Sequence, residues 1–472
     1  MSEPVLVAGV DSSTQSCKVV VVNAETGEVA RQGRACHPDG TSVDPAAWWS
    51  AFEEATADGL LDGVSAISVG GQQHGLVALD AGHAVVRDAL LWNDTRSASD
   101  AANLVAELGG PGVWAERVGT VPLAAITVAK VRWLAANEPA AAAATKTVVL
   151  PHDWLTGQIL KNRGGFTGWT TDRGDASGTG YWSARMGEYD QGLMHQAMGR
   201  VFEAPRVLAP NEAAGTTDDG MVVGPGTGDN MGAALGLGLQ AGDVVVSLGT
   251  SGTVFTVSDS CPLDASGAVA GFADATGSYL PLVCTLNAAR VLSASADMLG
   301  VSLDELDELA RSAEPGAGGL TLLPYLDGER TPDLPLATGT MAGMTRENMT
   351  PANIARAAVE GMLLNLLNGI AALRNQGAAV NRVFLIGGAS ASRAVQEVAA
   401  RLFSVPVLVP KPAEYVALGA ARQAAWALSG GDRPPVWPVS LAAELNGHGA
   451  GADNSEIVLR YADLLSRMHV SP

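Results

Sequence analysis

Two stretches half a chain apart read alike, and they restrict the fold more than any other feature. Val5 to Asp11, the polar turn Ser12-Ser13-Thr14-Gln15-Ser16 and Cys17 to Val22 give strand, turn, strand. Asp243 to Leu248, the turn Gly249-Thr250-Ser251-Gly252 and Thr253 to Ser258 repeat that order. Thr14 and Thr250 stand 236 positions apart in a chain of 472 residues. An internal duplication of an α/β domain is therefore expected, with the functional site in the cleft where loops of both sheets meet. The boundary is placed between residues 222 and 223, giving domains 1–222 and 223–472. Two β-turns also resemble each other by chance, because turns draw on few residue types.

The rest of the chain fits α/β units. Val29 to Ala35 completes an opening meander, Asp44-Pro45 starts a helix through Trp48 and Phe52, and Val64 to Gly70 reads as a buried strand. Thr95 to Leu108 and Val128 to Asn137 are expected helices, and Thr147 to Leu150 a short strand. Residues 160–182, rich in Gly, Thr and Asp, read as an irregular surface excursion. Val383 to Ala389 is a strand running into glycines before a helix from Arg393 to Phe403. The apolar run Gly361 to Leu373 is flanked by Arg356, Glu360 and Arg374, which suits a core helix. Residues 427–455 read as a Gly/Pro-rich connection and Glu456 to Met468 as a terminal helix.

Charge narrows the classes of partner. Against 49 Asp plus Glu there are only 29 Lys plus Arg, a net charge of −20 that repels phosphate backbones and anionic lipid. Neither a nucleic acid nor a membrane is expected as partner. The four cysteines have no CxxC spacing and the seven histidines no HExxH, which argues against structural zinc. With no long uncharged apolar run, a cytoplasmic protein is expected.

The candidate chemistry lies in short motifs. Asp11, Ser12, Ser13 and Thr14 put a carboxylate, hydroxyls and backbone N–H groups on one bend, suited to phosphate oxygens and the cation that accompanies them. Gly249, Thr250 and Ser251 form the second such turn, and no GxxxxGK[ST] motif is present. Gly387 and Gly388 let a flat purine approach backbone, or simply make a tight strand-to-helix connection. Asp229, before the small-residue helix Ala233 to Leu239, is the candidate base for an alcohol, or a helix cap. Gln73 and His74 follow a buried strand, where polar groups read a polyol or keto-sugar. Trp92, Asn93 and Asp94 join an aromatic to polar groups, or the segment simply caps the helix after it, with Thr95 or Asp94 as the capping residue.

Together these motifs resemble the FGGY family of carbohydrate kinases, over nearly the whole chain. Gly71-Gln72-Gln73-His74-Gly75 is similar to the family's GQMHG element, Leu91-Trp92-Asn93-Asp94 to ILWND, and Leu323 to Pro332 to LPYLxGERTP. Gly339 to Glu360, with Thr350-Pro351 starting a helix, resembles the second family signature. The resemblance implies duplicated ribonuclease-H-like, actin-like ATPase domains, with sugar on the N-terminal one and nucleotide on the C-terminal one. It implies ATP as donor, Mg²⁺ near Asp11, and Asp229 as general base. Gln73, His74, Trp92, Asn93, Asp94 and Asn230 would contact sugar. Ser12, Ser13, Thr14, Gly249, Thr250, Ser251, Gly387 and Gly388 would contact nucleotide. The implied reaction converts D-xylulose to D-xylulose 5-phosphate. Gln73 stands where many members carry Met, so ribulose or glycerol remains an alternative, as does a non-catalytic sugar sensor on the same scaffold. Sequence leaves a homodimer open.

Overall fold

The computed structural model describes residues 4–447 and 452–469. Contacts group the chain into two compact units. The first runs to Leu239 and takes in Asp259–Leu280 and Ala413–Pro438; the second holds Gln240–Ser258, Pro281–Pro412 and the chain from Val439. These units divide the chain differently from a single boundary at 222/223. Glycines explain why the Asp229–Leu237 helix stays with the first unit: a Cβ on Gly419 would lie 1.8 Å from the Gly232 carbonyl oxygen, and one on Gly236 2.1 Å from that of Tyr415. Backbone-to-backbone packing of this kind ties it to the Tyr415–Ser429 helix.

In the first unit the opening strand Leu6–Ser12 pairs antiparallel with Ser16–Asn23, which pairs antiparallel with Val29–Cys36. On its other side Leu6–Ser12 runs parallel to Val64–Gly71, and Val222–Val223 and Thr227–Gly228 run parallel to that strand. Alternating valines fill both faces, so Val7, Val10, Val19 and Val21 are fully buried. Gly9 is required, since a Cβ there would lie 1.9 Å from the Ala417 carbonyl oxygen. Ser68 Oγ donates to Gln423 Oε1 at 2.7 Å and fixes the Tyr415–Ser429 helix on this sheet.

The second unit repeats the frame. Asp243–Leu248 pairs antiparallel with Gly252–Thr256, which pairs antiparallel with Tyr279–Thr285. On the other side Asp243–Leu248 runs parallel to Arg382–Ile386, and that strand parallel to Val407–Pro410. The strand order is the same as in the first unit, as the duplication requires. Helix Pro351–Asn375, started by Thr350 accepting from Asn353 N at 3.2 Å, is long and apolar enough to cross a membrane, yet 78% of its most apolar window is buried in the protein. The terminal helix Ala452–His469 packs in this unit, with Tyr461 and Tyr325 hydroxyls 3.3 Å apart.

Two expectations are corrected. Within residues 160–182, expected as a surface excursion, 161–168 are exposed or half-buried, but every residue from 169 to 182 except Arg173 is buried. Their polarity is consumed internally, as Asp172 accepts from Gly174 N and Asp175 N at 2.8 and 2.9 Å and so starts a short helix, Arg173–Ser177. The 427–455 stretch begins inside the Tyr415–Ser429 helix and contains an edge strand, Leu441–Leu445, antiparallel to Val407–Pro410. Its residues 448–451 lie outside the described residues.

Candidate active site

Three parallel strands of the first unit end level with one another. Asp11 is in register with Gly70, and Thr227 pairs with Gly70 from the opposite side. The residues that leave these ends are Ser12 to Thr14, Gln72 to His74, and Asp229. Carboxyl ends of parallel strands are where α/β proteins take ligands. Asp11 and Asp229 flank the middle strand, two strand spacings or about 10 Å apart.

Asp229 is the first residue of its helix, with Gly228 in the capping position, so it is not the cap. Its Oδ1 accepts from Asn230 N at 2.7 Å and from Asn230 Nδ2 at 2.8 Å. The same Nδ2 donates to Gln73 Oε1 at 3.2 Å, which brings Gln73, Asp229 and Asn230 together. Burial, and then the charges of Asp175 and Asp11, push the Asp229 carboxyl up to about 7, against the Asn230 N–H that favours its ionised form. A base poised near neutrality can take a hydroxyl proton and release it again.

Asp11 is buried, and its Oδ1 accepts a short hydrogen bond from Ser13 Oγ. Burial pushes its carboxyl up, opposed by Ser13 and Lys18. Lys18 Nζ is 3.6 Å from Asp11 Oδ2 but 2.7 Å from Glu414 Oε2, so its charge is shared. The incompletely compensated carboxylate beside a hydroxyl is a set of hard oxygen donors and fits Mg²⁺. Thr14 Oγ1 accepts from the indole N–H of Trp92 at 2.8 Å, which sets Trp92, an exposed ring, beside the turn.

His74 Nδ1 lies 2.8 Å from the Gly178 carbonyl oxygen, and its ring centroid 5.4 Å from that of Phe272. A carbonyl only accepts, so Nδ1 carries the proton and Nε2 is the acceptor of the neutral ring. Asp94 commits both oxygens internally, to Thr41 Oγ1 at 2.8 Å and to Arg96 Nε at 2.8 Å. Despite burial, those hydrogen bonds hold its carboxyl below the usual range. Ser97, not Asp94 or Thr95, occupies the cap of the helix that follows, and Asn93 Oδ1 is buried with no hydrogen-bond partner among the described residues.

Sequence reasoning missed a buried group beside this site. His152 Nδ1 is 2.5 Å from Asp175 Oδ2, and its Nε2 is 3.2 Å from Asp153 Oδ1. Burial alone would depress the imidazole, but Asp153, Asp175 and Asp172 outweigh it and raise His152 to about 10. The three carboxylates around it thus favour its charged form. Burial pushes the carboxyls of Asp172 and Asp175 up and that of Asp153 up to about 7. The available signal was two helix starts: Pro151 opening a helix whose Asp153 accepts from Leu150 N at 2.7 Å, and Asp172 capping the next.

In the second unit, Gly249, Thr250 and Ser251 form the turn after Asp243–Leu248. The helix Ala289–Leu299 meets it, with Ala289 N donating to the Gly249 carbonyl at 2.9 Å. Arg290, also missed, donates to the Thr250 carbonyl and to Ser251 Oγ, each at 3.3 Å, and to Asp327 at 2.5 Å. Gly387, with φ +89°, ends the adjacent parallel strand, and a Cβ there would lie 2.6 Å from the Leu248 carbonyl. Gly388 lines a cavity of about 700 Å³ with Leu292, Leu303, Leu306, Val359 and Ala389. Its apolar walls, edged by Asp304, Asp307, Glu308, Arg311 and Arg393, suit a flat heterocycle. Glu329 of the Gly-Glu-Arg-Thr-Pro segment is buried and structural, accepting from Leu286 N at 2.6 Å and from Asn287 and Asn365 at 3.0 and 2.8 Å.

Models of the FGGY family of carbohydrate kinases match residues 6–238 as its N-terminal domain and 244–428 as its C-terminal domain. Proteins named xylulose kinase from Streptomyces coelicolor and Streptomyces rubiginosus are each 46% identical over 450 residues, covering 92% of this chain and 90% of theirs. The crystal structure of xylulose kinase from Bifidobacterium adolescentis superposes with a TM-score of 0.91 at 44% identity, covering 98% of this chain and all of that one. With both domain models in sequence and a level row of strand ends bearing Asp11 and Asp229, this chain belongs to the FGGY family of carbohydrate kinases.

Proposed function

We propose that the protein is a cytoplasmic kinase that transfers the γ-phosphoryl group of ATP to a primary hydroxyl of D-xylulose, giving D-xylulose 5-phosphate and ADP. The observation that carries this reading is the 46% identity, over 92% of the chain, to proteins named xylulose kinase. Sugar is assigned to the first unit, against Gln73, His74, Trp92, Asn93, Asp94 and Asn230. Nucleotide is assigned to the second, on the Gly249 and Gly387 turns and in the cavity beside Gly388.

Asp229 accepts the hydroxyl proton as the new O–P bond forms and the bond to ADP breaks. Asn230 and Gln73 hold that carboxylate in place, and His74 Nε2 accepts from a sugar hydroxyl. Phosphoryl transfer through a loose transition state asks little more of a base than this. Asp11 and Ser13 would hold Mg²⁺, which when bound offsets the charge of the phosphate oxygens. Ser12, Thr14, Thr250 and Ser251 donate to phosphate oxygens, and Arg290 steadies the second turn.

The test is ADP release by the purified protein with ATP and Mg²⁺ against D-xylulose, D-ribulose, L-ribulose, glycerol and gluconate. Preference for D-xylulose is expected. Preference for another member keeps the kinase and overturns the sugar; binding of sugar with no ADP release on any overturns the catalytic reading.

A further inference from the structure

Behind the strand end that leads to Asp229 lies the His152 ion cluster, which the transfer just described does not use. The imidazole is wedged between glycines: a Cβ on Gly226 would lie 2.2 Å from His152 Cδ2, and one on Gly71 2.9 Å from His152 Cβ. It grips Asp175 through Oδ2 at 2.5 Å. The other oxygen, Asp175 Oδ1, has no hydrogen-bond partner among the described residues and points at Gly228, where a Cβ would lie 2.8 Å from it. Gln73 Cγ is also 2.8 Å from that Cβ position, so Asp175 and the Gln73 side chain flank the residue immediately before Asp229.

We propose that Asp175, clamped by His152, is a positioning residue for phosphoryl transfer: it fixes Gly228 and Gln73, and through them the orientation of Asp229 and Asn230. The inference rests on reading Asp229 as the base. A buried ion cluster is a weak source of stability, since apolar packing of the same volume serves as well. What distinguishes this one is a fully buried carboxylate oxygen aimed at the strand end beside the base. Electrostatics agree with the geometry. The charged groups facing Asp229 are Asp175 from the Arg173–Ser177 helix and Asp11 from the first strand, with Lys18 and Glu414 beyond Asp11. Asp175 in turn faces His152 and Asp153 from the Pro151–Arg163 helix and Asp172 from the preceding turn.

The experiment compares Asp175→Asn, His152→Gln and Asp229→Asn in the full-length protein, reading Tm, kcat, both KM values and the acid limb of kcat against pH. Asp175→Asn keeps the volume and removes a negative charge. We expect kcat to fall about tenfold with KM for ATP unchanged, and the acid limb to move down by about half a pH unit. His152→Gln removes the group that holds the Asp175 carboxyl in its ionised form, so Asp175 takes up a proton, the limb again moves down and kcat again falls. A merely structural role leaves the limb where it is in both variants. Unmoved limbs overturn the proposal, as does unfolding of both variants, which assigns the cluster to stability alone. If only Asp175→Asn fails to fold, the downward shift in His152→Gln decides. Turnover retained in Asp229→Asn overturns the base and this inference with it; turnover lost there, with the Asp175→Asn limb unmoved, overturns this inference alone.

Discussion

In the first unit the turn after the opening strand carries Asp11 bonded to Ser13, and the neighbouring strand ends carry Gln73 and Asp229. In the second unit the equivalent turn carries Gly249, Thr250 and Ser251, held by Arg290, and the neighbouring strand ends in Gly387 and Gly388. Strand order and pairing are the same in both. The duplicated sheet is thus a frame that leaves the chemistry at its strand ends to be chosen separately. Under the proposed function, buried carboxylates gather where a proton would leave an alcohol, and bare backbone and a cation gather where an anionic, flat ligand would rest.

Mutations that exchange these characters break the comparison in order of size. Asp229→Ala removes the base, and kcat should fall at least about a hundredfold while Tm stays near wild type. Retention of more than about a tenth of kcat would rule out an obligatory base. Asp11→Asn leaves Lys18 and Ser13 in place but takes away the cation's carboxylate. A kcat loss of about a hundredfold is expected, with a higher Mg²⁺ concentration for half-maximal rate; a Mg²⁺ titration matching wild type would remove Asp11 from that role. Arg290→Ala loosens the second turn only, and should raise KM for ATP about tenfold with KM for sugar untouched. An effect on sugar alone would deny the division of labour. Smallest is His74→Ala, for which KM for sugar should rise several-fold while KM for ATP holds; an unchanged KM for sugar counts against its assigned contact.

Much of this frame was legible in the sequence because it is local. Consecutive valine runs after Asp11 and again before Gly249 mark buried strands, and small residues after Asp229 announce a helix that packs closely. The candidate residues were legible from local pattern: Asp11 at the bend between two β-rich runs, Gln73 after a buried strand, and Asp229 in a glycine-rich loop before a small-residue helix. What escaped depends on distant partners. The stretch holding Asp172 and Asp175 looks like surface by composition, and only the arrival of His152 from another helix makes its burial affordable. Arg290 gives no local sign, since its role comes from a turn that ends about forty residues earlier in the chain. Domain boundaries escaped for the same reason: Gly232, Gly236 and Gly419 meet across nearly two hundred residues.

The most direct test of the central claim, that buried carboxylates poise Asp229 as the base, is the pH dependence of a single turnover, which follows the transfer step itself. A carboxyl pushed up to about 7 is protonated below that pH and then cannot accept the hydroxyl proton. The account therefore predicts a rate that is level above pH 8 and falls about tenfold per unit below pH 7. A rate unchanged from pH 8 down to pH 5 would contradict it.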